Sequence, residues 1–83
     1  MPTATQTNSD TTWLRIPHYK VAALNPKLAG RVAELKHALE SSLSACSDTN
    51  RENFYDVELR AGWAYIHVRD DTQTVYLVAY SCM

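Results

Sequence analysis

Residues 54–80 read FYDVELRAGWAYIHVRDDTQTVYLVAY and are the most strand-like part of the chain. They contain three runs rich in aromatic and β-branched residues. The runs are Phe54–Leu59, Trp63–Val68 and Thr74–Tyr80. The turns between them are short and polar, and connections of this length join antiparallel neighbours. The sequence therefore predicts a three-stranded antiparallel meander.

Alternation with a period of two gives this meander two different faces. One face is apolar and is the predicted core: Tyr55, Val57, Leu59, Ala64, Ile66, Val68, Val75, Leu77 and Ala79. The other is rich in aromatic and charged residues: Asp56, Glu58, Arg60, Trp63, Tyr65, His67, Arg69, Thr74, Tyr76, Val78 and Tyr80. We expect this second face to bind a partner or a second copy. The alternative is an exposed sheet stabilised by cross-strand aromatic pairs, at about 0.2–1 kcal/mol each.

Two helices are predicted upstream of the meander. A short helix is expected over His18–Leu24, and Asn25 with Pro26 predicts the start of a longer one. Apolar residues recur along the longer helix at spacings of three and four: Leu28, Val32, Leu35, Leu39 and Leu43. A first strand is expected over Thr12–Ile16 and a loop over 44–53. The predicted fold is α+β with the order β-α-α-β-β-β, an antiparallel meander with its helices packed on one face.

Composition limits the class of protein. The chain has 83 residues, a net charge of -1 and 46% hydrophobic residues, which predicts a single domain over 12–83 behind a disordered tail over 1–11. Cys46 and Cys82 lack CxxC spacing, and neither a signal peptide nor a membrane span is predicted, so we expect a cytoplasmic protein. The small core makes a homodimer possible.

Chemical sites are sparse. No pair of histidines has metal-ligand spacing and no nucleotide-binding motif is present, so we predict neither a metal nor another cofactor. The candidate catalytic residues are Arg60 and His67; an ordinary surface histidine is the alternative for His67. The predicted binding residues are Trp63, Tyr65, His67, Arg69, Tyr76, Tyr80 and Arg60.

The string at residues 57–80 and the segment LNPKLAGRVAELKHAL at 24–39 together resemble the RelE/ParE superfamily of small bacterial toxins. The resemblance covers residues 12–80. It implies a protein that binds an antitoxin and, in the ribosome-dependent branch, cuts messenger RNA on the ribosome. It also implies that Arg60 is the family's strand arginine and that Arg51 stands in for its loop lysines.

The family's basic C-terminal extension has no counterpart here, and the chain lacks the family's basic charge. We therefore expect a toxin-antitoxin component that binds a protein or ribosomal target through the aromatic face without catalysis; if it is an enzyme, it is a ribosome-dependent endoribonuclease. Two alternatives stay open. One is a small inhibitor or adaptor, such as phages encode, that blocks a larger host enzyme; the other is a homodimeric structural module.

Overall fold

Six strands form one mixed sheet in the computed structural model, which describes residues 11–82. The strands are β1 (Thr11–Leu14), β2 (Lys20–Ala23), β3 (Leu43–Ser47), β4 (Phe54–Leu59), β5 (Gly62–Arg69) and β6 (Thr74–Cys82). Their order across the sheet is β1-β3-β4-β5-β6-β2. Strand β2 runs parallel to β6, and the other neighbouring pairs are antiparallel. Within residues 11–82 there is one α-helix, α1 (Val32–Ser41), preceded by a 3-10 segment at Pro26–Arg31.

The predicted α+β fold of order β-α-α-β-β-β is wrong, because the first of its two helices is a strand. Residues inside the predicted helix His18–Leu24 form β2. The N–H of Lys20 donates to the carbonyl of Gln73, and the N–H of Leu24 to that of Leu77, both at 3.0 Å. So short a helix would leave most of its backbone groups without partners. The edge of β6 supplies those partners instead.

A second correction concerns residues 44–53, which were predicted as a loop. Ser42 ends α1 with a φ of 104°, and the chain then enters β3. Burial alternates along β3, with Leu43 and Ala45 buried in the core. Because β3 is paired with β1 on one edge and β4 on the other, pairing on both sides overrides the polar, turn-like composition of the segment.

The start of the helical region follows the predicted signals, but α1 is shorter than expected. The side chain of Asn25 accepts a hydrogen bond of 3.0 Å from the N–H of Lys27, and the first turns adopt 3-10 geometry. Of the predicted apolar stripe, α1 contains only Val32, Leu35 and Leu39.

One hydrophobic core lies between α1 and one face of the sheet. Leu35 and Leu39 have no exposed surface and belong to the same cluster as the sheet residues. The sheet residues of this cluster are Leu43, Ala45, Val57, Leu59, Ala64, Ile66, Val68, Val75 and Leu77. The helix therefore covers one side of the sheet and leaves the other side uncovered by helix.

A β-bulge interrupts the pairing of β5 with β6. Ile66 pairs with Leu77, but its neighbour Tyr65 pairs with Ala79, so Val78 is an extra residue on β6. An extra residue reverses the facing of every position beyond it. Strict alternation placed Ala79 in the core, and that placement is wrong.

Tyr80 is the second residue that the bulge moves. It was predicted on the aromatic face, but it packs against the core on the helix side. The guanidinium of Arg31 lies 4.4 Å from the centre of its ring. Its buried hydroxyl has no hydrogen-bond partner within residues 11–82. The prediction that Tyr80 belongs to the aromatic face is therefore wrong.

The remaining expectations concern the membrane and the N-terminus. No helix in the described part of the chain is long and apolar enough to cross a membrane. The predicted tail lies outside the described residues, apart from Thr11, which begins β1.

Candidate binding face

We call the sheet face opposite α1 the open face. The strand register assigns to it Trp13, Phe54, Asp56, Glu58, Trp63, Tyr65, His67, Arg69, Tyr76, Ala79 and Ser81. Trp13 is 74% exposed and Trp63 is 41% exposed. Tryptophan is normally well covered in a folded protein, so two exposed indoles on one face mark a surface that can take a partner.

Four stacked rings cross the centre of the open face; we call them the aromatic row. Phe54, His67 and Tyr76 lie directly opposite one another on β4, β5 and β6. The ring centres of Phe54 and His67 are 4.2 Å apart, and those of His67 and Tyr76 are 6.4 Å apart. Tyr65 stacks on Phe54 at 5.4 Å. Three strands thus hold these rings in one stacked arrangement.

Residues 48–53 fold onto one corner of this row. The hydroxyl of Tyr65 donates a short hydrogen bond to the carboxylate of Asp48. This bond holds the pKa of Asp48 below its usual value and raises the pKa of Tyr65. The guanidinium of Arg51 lies 4.0 Å from the centre of the Phe54 ring. Phe54 was not among the predicted binding residues. It could have been found from the sequence, because it lies two residues before Asp56 on the same strand and so belongs to the same face.

A shallow depression lies beside Tyr65, between it and Trp63 on β5. Its volume is about 240 Å³, and it is lined by Asp56, Trp63, Ala64, Tyr65, Ala79, Tyr80 and Ser81. Tyr80 turns its side chain to the opposite face, so the floor on β6 is built by the small residues Ala79 and Ser81. The bulge thus opens a space that strict alternation would have filled with a tyrosine ring.

Arg69 is less available to a partner than the sequence suggested. Its guanidinium forms two hydrogen bonds with Asp71, at 3.0 Å and 2.6 Å. The contact lowers the pKa of Asp71 and raises that of Arg69. The positive charge at this position is therefore largely matched within the chain.

The two catalytic candidates are not brought together. Arg60 lies in the turn after β4, where its backbone N–H donates to Glu34 of α1 at 3.3 Å. His67 lies opposite Phe54, at the other end of β4, and six strand residues span about 20 Å. The Nδ1 atom of His67 is 3.3 Å from the carbonyl oxygen of Asn53. These two side chains do not share a reaction centre in this fold.

A second cavity of about 350 Å³ lies between the β1–β2 connection and the end of the sheet. Three of the polar side chains that line it already have hydrogen-bond partners within the chain. The hydroxyl of Tyr19 donates to Asp70 at 2.6 Å, which raises the pKa of Tyr19, and Arg15 donates to the carbonyl of Glu40. No cluster of three or more potential metal ligands occurs among residues 11–82. The open face is therefore the stronger candidate site.

No protein family, curated protein or solved structure matches this chain. The resemblance to RelE/ParE toxins stays a prediction, and the helical pair on which it drew is replaced by β2, the 3-10 segment and α1.

Proposed function

We propose that this chain is a non-catalytic binding module that holds a protein partner on its open face. The observation that carries the proposal is the aromatic row together with two exposed tryptophans on the same face. Rigid aromatic side chains give a large contact area at low cost in conformational entropy, and they dominate the energetics of protein interfaces. The separation of Arg60 from His67 supports binding without catalysis.

The charges of the open face favour a protein over RNA. Asp56 and Glu58 lie side by side on β4, and neither forms an ion pair with another described residue. Their carboxylates repel a phosphate backbone, and the net charge of -1 supplies no compensating field. Stacked rings on a sheet also suit single-stranded nucleic acid, but the cations beside these rings lie next to carboxylates of the chain: Arg51 is near Asp48, and Arg69 is paired with Asp71.

We propose the role of an inhibitor or adaptor, which covers a surface of a larger protein. A cytoplasmic location is part of this proposal, because Cys46 and Cys82 are both free thiols. A toxin-antitoxin component uses a protein-binding face too. That role would be favoured if expression of the chain arrests cell growth and expression of a folded Trp63→Ala variant does not.

Site-specific photo-crosslinking tests the proposal. The photoreactive residue p-benzoylphenylalanine replaces Trp63 on the open face in one variant and Lys36 on the outer surface of α1 in the other. Lys36 is a suitable control because its side chain is 49% exposed on the helix side. We expect one adduct of discrete mass, in cells that carry the gene, from position 63 alone. Equal adducts from both positions, or none from either, would refute the proposal.

An adduct with twice the mass of the chain would identify a homodimer instead. In that case the open face would be the interface between two copies, and the inhibitor or adaptor role would be wrong.

A further inference from the structure

We infer that the depression between Trp63 and Tyr65 receives a cationic side chain, lysine or arginine, of the protein partner. This inference rests on the proposed function and names the chemistry of the partner. It follows from the shape of the depression and from the charges beside it.

The depression has two aromatic walls and a small floor. Trp63 and Tyr65 are two residues apart on β5, so their side chains leave the same face about 7 Å apart. Opposite them on β6 stand Ser81 and Ala79. The volume of about 240 Å³ is several times the roughly 30 Å³ that a water molecule occupies in the liquid. An ammonium or guanidinium group with part of its alkyl stem therefore fits between the rings.

One carboxylate on β4, that of Asp56, lines the depression, and a second, that of Glu58, lies next to it on the same face of the strand. Asp56 stands opposite Tyr65, and Glu58 stands opposite Trp63. Both residues are exposed, and no lysine, arginine or histidine within residues 11–82 forms an ion pair with either. The faces of aromatic rings also attract cations. Rings and carboxylates thus select the same charge, and they disfavour an anionic or a purely apolar group.

The depression is too shallow and open to hold a free amine on its own. The surrounding aromatic row supplies contact area that a free amine does not use. When the cationic side chain belongs to a protein, the cation occupies the depression while the rest of the protein contacts the aromatic row. The charge of the side chain then fixes the orientation of the complex.

The test is a titration with defined peptides, followed by NMR. The probes are a decapeptide of alternating glycine and lysine, the same peptide with acetylated lysines, and the glutamate analogue. We expect only the lysine peptide to shift the backbone amide signals of Trp63 and Tyr65. We also expect its affinity to fall as salt concentration rises.

Three variants localise the effect. Asp56→Asn and Glu58→Gln each remove one carboxylate without changing side-chain size, and we expect each to weaken binding of the lysine peptide at least threefold. Glu40→Gln is the matched control: it removes an exposed carboxylate from α1 and should leave the affinity unchanged. Equal binding of the acetylated peptide, or an equal loss in Glu40→Gln, would overturn the inference.

Crosslinking from position 63 in the Asp56→Asn/Glu58→Gln background separates this inference from the proposed function. If the adduct disappears only when the carboxylates are removed, both ideas stand. If it persists unchanged, the open face binds a protein but the depression does not anchor a cation. If no adduct forms even with both carboxylates present, the proposed function itself fails.

Discussion

The chain contains two glycines, and we predict opposite effects when each is replaced by alanine. Gly62 begins β5 and is paired with Cys82 at the end of the neighbouring strand β6. A Cβ atom built on Gly62 would lie 2.2 Å from the backbone oxygen of Ser81, 2.9 Å from the hydroxyl of Tyr80 and 3.0 Å from the Cα of Cys82. The tyrosine hydroxyl can move, but the backbone oxygen belongs to the paired strand. Relief of the clash must therefore shift one strand relative to the other.

The magnitude follows from the nature of these contacts. Adding one methyl group to a well-packed site costs about 1–3 kcal/mol. A distance of 2.2 Å to a backbone atom places Gly62→Ala at the upper end, so we expect a loss of about 3 kcal/mol in the free energy of unfolding. In a domain of this size, this corresponds to a fall of about 12 °C or more in melting temperature.

Gly30 is the control, because nothing lies within 4 Å of a Cβ atom built there. It lies in the 3-10 segment, and its φ is not positive. Alanine at such a position stabilises by about 0.4–1 kcal/mol, chiefly by restricting the unfolded chain. Urea denaturation of both variants measures the two effects. If Gly62→Ala unfolds within about 0.5 kcal/mol of the unmodified protein, the end of β6 does not lie against Gly62 and our account of the bulge is wrong.

Two further predictions concern the core and the Asp48 hydrogen bond. Leu35→Ala and Ile66→Ala remove fully buried side chains and should each cost about 2–5 kcal/mol in urea denaturation; a loss below about 0.5 kcal/mol at both sites would refute the packing of α1 on the sheet. Tyr65→Phe should raise the pKa of Asp48 toward its usual value, which carboxyl carbon NMR measures directly. Stability from this bond is present between about pH 4 and pH 10, and is lost as pH falls through the lowered pKa of Asp48 or rises through the raised pKa of Tyr65. An unchanged Asp48 titration in Tyr65→Phe would contradict the hydrogen bond.

Sequence reasoning located β4, β5 and β6, whose partners in the meander are close in the chain, and also β1, whose own residues are strand-like although its register joins Thr12 to Ala45. Strands β4, β5 and β6 follow one another through short turns, so local alternation and turn composition contain nearly all the required information. Strand β2 is different, because its register joins Lys20 to Thr74 and Ala23 to Leu77. Its backbone partners come from the far end of the chain, and the segment HYKVAAL contains no signal of them. Local propensity then favours a helix that the completed sheet overrides.

Strand β3 shows the same limit in another form. Its sequence, Leu43-Ser-Ala-Cys-Ser47, is small and polar, as in a loop. This segment forms a strand because it pairs with β1 on one side and with β4 on the other. Such a strand is specified by its neighbours rather than by its own residues, which is why composition alone predicted a loop.

The candidate site depends on one residue that no pattern in the sequence marks. Alternation correctly placed Trp63, Tyr65, His67 and Tyr76 on one face, since β5 is regular and Tyr76 precedes the bulge. Val78 is an ordinary strand residue, so nothing in its identity shows that it has no direct partner on β5. Because Val78 is an extra residue, the two residues after it face the sides opposite to those that alternation predicts. Ala79 lies on the open face, and Tyr80 lies on the helix side. The aromatic row is thus readable from the sequence, whereas the depression beside it exists only because of the register shift. The chemistry that we assign to that depression therefore required the three-dimensional structure.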